Sequence, residues 1–185
     1  MKLKEKLILT GINEIEKVGL NGLSLRKVAA KCGVSCAAPY RHFKGKQEFI
    51  LEIFRYVNEK WSAALDEIVA KTNNEREAVV EICIAYIRFL VENPSFRSII
   101  MLKHADLDYE QRNELYSISK FSEEIVNDYC AVEGINEKTK KERTLIVRAM
   151  LYGMAHMFDT GEVDYNEDNL MLIRDKVVKK FVSER

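Results

Sequence analysis

The chain has 185 residues, 47% of them hydrophobic, with 29 basic and 29 acidic side chains and no formal net charge, which suits one large domain or two small ones around a buried core. The cancellation is uneven: residues 1–47 hold ten Lys or Arg against three Asp or Glu, and residues 48–185 hold nineteen against twenty-six, so a basic head on an acidic body is arranged to approach a polyanion in one orientation. No apolar run approaches the roughly 20 residues of a bilayer span, no secretory signal is visible, and the four cysteines form no Cys-x-x-Cys pair. The expectation is a cytoplasmic protein with reduced thiols and no membrane partner.

About nine helices and no strand are expected. The first, near residues 2–18, is amphipathic through Leu3, Leu7, Ile8, Ile12 and Ile15. Ser24 is placed to cap a second helix whose Leu25, Val28, Ala29 and Cys32 share one face. Gly33 ends it in the left-handed conformation, and Val34 plugs the angle. Ser35 restarts the chain as a cap, and Cys36, Ala37 and Ala38 are small enough to let a backbone approach base edges. Pro39, early in this third helix, loses at most one backbone bond. Two short helices around a tight turn, with basic and aromatic residues on the second, read as a helix-turn-helix over about residues 24–43.

A long fourth helix begins near Gln47, carries Phe49, Ile50, Ile53, Phe54, Val57 and Trp61, and fades near Lys71. Asn74 caps a fifth, Pro94 opens a short sixth, and Asp108 with Gln111 forms a capping pair for a seventh that Gly134 ends. An eighth spans about Glu137–Asp159 and a ninth about Tyr165–Ser183, joined through Gly161. The ninth sets Leu170, Ile173, Val177 and Phe181 on one stripe flanked by Met171, Val178 and Val182. That stripe is wider than one neighbouring helix needs, so a homodimer is expected, with Met150, Met157, Ile173, Val177 and Phe181 at its interface. The fold expected is all-α: a helix-turn-helix domain over 1–47, then a larger ligand-binding and dimerisation domain over 48–185.

For duplex DNA, Tyr40, His42 and Lys46 suit phosphate oxygens, Arg41 reaches guanine or a phosphate, and Ser35, Cys36, Ala37 and Ala38 lie nearest the bases. Ser24, Arg26 and Lys27, at the start of the preceding helix, add to the phosphate face. Phe43 reads as core. Cys36 reads as a small neutral contact rather than a reactive thiol, and Cys32, Cys36 and His42 lack a fourth ligand for a metal. The second half concentrates side chains that can line a pocket for a small apolar or weakly polar organic molecule: Tyr86, Phe89, Met101, His104, Tyr116, Phe121, Met150 and Met154. Motifs for phosphate-loop, zinc-protease or nucleophile-elbow chemistry are absent, so no enzyme and no cofactor is expected. A DNA-binding or scaffold protein without a ligand remains the alternative.

The run Gly33-Val34-Ser35 followed by Ala38-Pro39-Tyr40-Arg41-His42-Phe43-Lys44-Gly45-Lys46 resembles the DNA-binding domain of tetracycline-repressor (TetR) family regulators, and the likeness covers roughly residues 4–54. Downstream, Ala85-Tyr86-Ile87-Arg88-Phe89 leading to Glu92-Asn93-Pro94, and Tyr152-Gly153-Met154-Ala155-His156, are similar to the regulatory domain of the subgroup with a Trp-His-Gly signature, whose first two positions are held here by Leu151-Tyr152. The resemblance implies that Tyr40 and Lys46 hold the DNA backbone. It also implies a homodimeric repressor on a palindromic operator, with ligand in the carboxy-terminal domain driving the recognition helices out of register with successive major grooves.

Overall fold

A computed structural model describes residues 1–182, the side chains of residues 104, 121 and 182 excepted. Among them the helical order expected from the sequence is present, with no strand. The α-helices are α1 (Leu3–Gly22), α2 (Leu25–Lys31), α3 (Lys46–Val69), α4 (Glu75–Glu92), α5 (Pro94–Ile100), α6 (Tyr109–Val132), α7 (Glu137–Thr160) and α8 (Glu167–Val177). A 3-10 turn at Pro39–Arg41 stands where the third helix was expected, and a π-wound turn, Val178–Val182, continues α8. No described helix is long and apolar enough to cross a membrane.

Two compact units form. One takes Met1–Trp61 with Asn93–Ser119, the other Ser62–Glu92 with the chain from Lys120 onward. The first unit therefore adds α5 and the start of α6 to the residues expected to read DNA.

In that first unit α1 buries Leu7, Ile8, Ile12 and Ile15. The turn expected after residue 18 is marked by Gly19, whose φ of 68° breaks the helical path inside α1. Gly11 is where α3 comes close, since a Cβ there would stand 2.5 Å from Phe49 Cζ and 2.9 Å from Ile53 Cδ1. α5 packs on α1, its Ser95 hydroxyl 3.0 Å from Asn13 Oδ1 and 3.1 Å from Glu16 Oε2. The expected pair at the start of α6 is a reciprocal capping box: Gln111 N–H donates to Asp108 Oδ1 (2.8 Å) and Asp108 N–H to Gln111 Oε1 (3.1 Å). Three polar rungs then tie α6 to α3: Gln111 Nε2 donates to Gln47 Oε1 (2.7 Å), Arg55 Nε to Glu114 Oε2 (3.2 Å), and Asn58 Nδ2 to Ser117 Oγ (3.2 Å).

In the second unit α4 packs against α7 and α8. Asn74, Asn136 and Asn166 each accept a backbone N–H at 2.9 Å as caps of α4, α7 and α8. The expected stops Gly134 and Gly161 have φ of 65° and 72°. The wide stripe of α8 has a different destination from the one expected. Ile173, Val177 and Phe181 are 2%, 0% and 2% exposed within the single chain, with the Phe181 ring 5.9 Å from Tyr129 and its carbonyl accepting from Arg143 Nη1 at 2.8 Å. These three are protomer core and not surface left over for a partner; α4 and α6 use the extra width. Met150 and Met157 are half-buried.

Gly11→Ala places a methyl group into Phe49 and Ile53, and overpacking of this kind costs about 1–3 kcal/mol. The expected result is a lower urea midpoint at unchanged m-value; a wild-type midpoint would show that α3 yields freely there.

Candidate nucleic-acid interface

The turn between α2 and the recognition segment is built by backbone chemistry. Gly33 takes φ of 71°, its N–H donates to Ala30 O (3.0 Å) and the Val34 N–H to Ala29 O (3.1 Å), the paired bonds of a Schellman stop. Cys32 Sγ lies 3.2 Å from Thr10 Oγ1, and Lys6 Nζ donates to Cys32 O at 3.0 Å, so the end of α2 is anchored to α1. Buried Glu14 pairs with Lys31 between the same helices.

Ser24 occupies the N-cap position with extended φ and ψ, but its side chain makes no cap bond; its carbonyl accepts Val28 N–H at 3.0 Å. The expected restart at Ser35 is likewise made through its carbonyl, which accepts Ala38 N–H at 2.9 Å. Tyr40 N–H then donates to Ala37 O, Arg41 to Ala38 O and His42 to Pro39 O at 2.9–3.2 Å, each spanning three residues. The segment therefore winds as 3-10 and not as α-helix, with Pro39, which has no N–H to give, at its first position. Phe43 N–H then donates to Pro39 O at 3.0 Å, a bond that spans four residues.

Phe43 is 1% exposed, as its core reading required, with its ring 4.8 Å from Phe49. On the other side Ser35, Cys36, Ala37, Tyr40, Arg41 and His42 are exposed, Ala38 is half-buried and Pro39 is buried. Arg26 and Lys27 on α2 are exposed as well, and Ser24 is half-buried. Lys46 is half-buried and its ammonium donates to Asn21 O at 3.0 Å, tying the start of α3 to the end of α1. Two of its N–H groups remain for another acceptor. Lys4 pairs with Glu52, and this ammonium holds the Glu52 carboxyl below the usual carboxylate range.

The side chains expected to line a pocket fall into both units. Met101 and Tyr116 belong to the first and are exposed. Tyr86, Phe89, Met150 and Met154 belong to the second, with Phe89 buried and the two methionines half-buried. His104 and Phe121, also expected at the pocket, lie outside the described side chains. In the second unit Tyr86 Oη is 3.0 Å from Tyr152 Oη, with the rings edge-on at 79°, and the Arg148 guanidinium is 6.0 Å from the Tyr152 ring centre. Burial pushes the Tyr86 phenol well above its ordinary range. Sequence reading missed Arg148 and Tyr152 as partners of Tyr86. The available signal was a cation and a phenol four apart on one helix, which share a face. An open cleft of about 260 Å³ lies elsewhere in this unit, lined by Asn74, Glu75, Arg76, Tyr129, Val132 and Glu133, none of them an expected pocket residue.

Because a Cβ at Gly33 would meet nothing within 4 Å, Gly33→Ala tests the left-handed conformation alone. A cost of about 1–2 kcal/mol is expected in thermal or denaturant unfolding; an unchanged midpoint would mean that the turn relaxes.

Residues 7–53 match the family model described as bacterial regulatory proteins, tetR family. The chain is 26% identical over 176 residues to YobS of Bacillus subtilis, an uncharacterized HTH-type transcriptional regulator, covering 91% of this chain and 85% of that protein. It is 29% identical over 115 residues to YuxN of the same organism, another uncharacterized HTH-type transcriptional regulator, covering 62% of this chain and 39% of that one. In fold it is similar to a TetR family transcription regulator from Marinobacter aquaeolei, with a TM-score of 0.78 at 16% identity, covering 96% of this chain and 94% of the other.

Proposed function

We propose that this chain, which belongs to the TetR family of helix-turn-helix transcriptional regulators, is a cytoplasmic repressor that binds a palindromic operator as a homodimer and releases it when a small organic molecule enters the second unit. The observation that carries the reading is the exposed set Tyr40, Arg41 and His42, held on a 3-10 turn whose buried side is Phe43. A recognition segment needs one rigid apolar side and one side free to enter a major groove about 12 Å wide. Ser35, Cys36, Ala37 and Ala38 come nearest the bases. Tyr40, His42 and Lys46 take phosphates, with Arg26, Lys27 and Ser24 along the same edge and Arg41 reaching a base or a phosphate.

The dimer seam we assign is the exposed apolar face of α7 and α8. Leu145 and Ile146 are 71% and 55% exposed, Met171 and Leu172 are 58% and 52%, and exposed Ala149 and Gly153 continue the α7 face at helical spacing and allow close approach. A twofold dimer brings the same face of each copy together. In the regulatory half, kinship with the Trp-His-Gly subgroup would rest on Gly153 and on the run from Ala85 to Pro94, while Leu151 and Tyr152 depart from the Trp and His of that signature.

Three experiments test this reading. Lys46→Ala is expected to weaken binding to specific and non-specific duplexes alike and to lower the salt slope by about one counterion, with Tyr40→Phe weakening binding without the slope change. Unchanged affinity and slope for Lys46→Ala would remove its phosphate role. Leu145→Glu is expected to sediment as a folded monomer, whereas Val177→Glu, which buries an unpaired charge inside the protomer, is expected to lose its fold. A folded dimer for Leu145→Glu would move the seam elsewhere. If compounds that bind the second unit leave operator affinity unchanged, a ligand-independent DNA-binding protein is the better reading.

A further inference from the structure

Gln111 of α6 and Glu14 of α1 are the buried polar or charged side chains among the described residues, each 5% exposed. Glu14 pairs with Lys31 of α2 and Gln111 bonds to the first turn of α3, so each reaches an element that carries residues of the proposed DNA face. The Gln111 amide is used at both ends: its Oε1 accepts Asp108 N–H at 3.1 Å and its Nε2 donates to Gln47 Oε1 at 2.7 Å. Both partners belong to exposed residues. Taking the Gln111 amide away therefore leaves them free to turn to water, and a neutral bond exchanged in this way contributes little to stability. What a buried amide supplies, and an apolar side chain of similar size does not, is direction.

Three successive side chains at the start of α3 bond in three directions. Lys46 Nζ donates to Asn21 O at the end of α1 (3.0 Å), Gln47 accepts from Gln111, and Glu48 Oε2 accepts the Lys44 N–H from the loop after the recognition turn. All of these groups lie in the first unit. The other rungs between α3 and α6 start from Arg55 and Asn58, about two and three helical turns further on, so Gln111 is the rung that governs the first turn. We infer that Gln111 is a positioning residue for operator binding: through Gln47 it holds the first turn of α3, and with it the Lys46 ammonium, where a phosphate oxygen is met. This rests on the proposed phosphate contact of Lys46. A turn left loose has to give up its freedom when DNA binds, so loss of the bond is read in affinity and not in folding.

The test uses the full-length protein and a duplex selected by the wild-type chain from random sequence, and compares affinity and melting temperature for Gln111→Met, Gln47→Met, the two together, Lys46→Ala, and Gln111→Met with Lys46→Ala. Methionine matches glutamine in length and helix preference and removes the bond. Each single methionine change is expected to weaken binding about twofold to tenfold, the range of one neutral hydrogen bond. The double change should be no weaker than either, and Gln111→Met should add nothing once Lys46 is replaced. Gln111→Met should keep the wild-type melting temperature, whereas Gln47→Met leaves the buried Gln111 amide unpaired and should lower it, a loss that the double change restores. Asp108→Ala removes the carboxylate cap of α6 and leaves Gln111 on Gln47; it should lower the melting temperature and leave affinity as it was. Unchanged affinity for folded Gln111→Met and Gln47→Met proteins, losses that add in the double change, or a matching loss for Asp108→Ala would overturn the assignment. If Lys46→Ala alone leaves affinity unchanged, the phosphate contact and this inference fall together. If Lys46→Ala weakens binding and Gln111→Met either does not or adds its full loss to it, the phosphate contact stands and this inference falls alone.

Discussion

The DNA-facing half depends on the contact of Phe43 with Phe49. A seven-residue α2 and a three-residue 3-10 turn have too few internal bonds to hold themselves in water, where even isolated helices of 12–15 residues are marginal. Their position is set from outside. Phe43 inserts against Phe49 with ring centres 4.8 Å apart, and Phe49 is seated over Gly11, where any side chain would intrude. The apolar line α1–α3–recognition turn therefore fixes which way Tyr40, Arg41 and His42 point. A phosphate or base contact can be strong only if this line is stiff, because freedom of the turn would have to be given up on binding.

The basic charge of residues 1–47 does two jobs. Lys4 pairs with Glu52, Lys31 with Glu14, and Lys6 and Lys46 each donate to a backbone carbonyl at 3.0 Å. Surface pairs add little stability, and of the two carboxylates here Glu14 is buried; what these four lysines supply is geometry, since each ties one helix end or face to another. The bonds from Lys6 to Cys32 O and from Lys46 to Asn21 O also neutralise carbonyls near helix ends, where the peptide dipoles leave partial negative charge. The charge left for the proposed DNA face is thus smaller than the sequence balance: Arg26, Lys27, Arg41 and Lys44 are exposed, and Lys46 is shared with Asn21 O.

Much of this was legible from the sequence because it rests on local chemistry. Gly33, Gly134 and Gly161 each stop a helix with positive φ, Asn74 and the Asp108–Gln111 pair cap as their side chains allow, and Phe43 is core. What escaped was whatever depends on the neighbour. Ser24 has a capping side chain and the right backbone angles, yet only its carbonyl is used. The segment after Ser35 has helical composition, but it is only a few residues long and its bonds span three residues, winding it as 3-10. Counting the apolar width of α8 gave its excess correctly and assigned it to the wrong partner, since periodicity says how much surface is covered and nothing about whether α4, α6 or a second chain covers it. The Tyr86–Tyr152 bond spans 66 residues, a distance over which sequence spacing carries no signal.

The burial of Ile173, Val177 and Phe181 inside the protomer also bears on how a dimer of this chain can work. If those residues formed the seam, separating the subunits would open the core of each, and the interface would be as rigid as the fold itself. With the core closed by α4, α6 and α7 in one chain, the assigned seam uses other side chains, Leu145, Ile146, Met171 and Leu172, backed by Ala149 and Gly153. Such an interface can shift by a helix rotation or a small slide while each protomer keeps its packing, because the side chains that would move are not those that hold the chain folded. Interfaces repack between discrete arrangements more cheaply than cores do. On the proposed reading, a regulator that changes the spacing of two recognition turns without unfolding either subunit needs that separation of roles, and the buried inner and exposed outer faces of α8 are compatible with it.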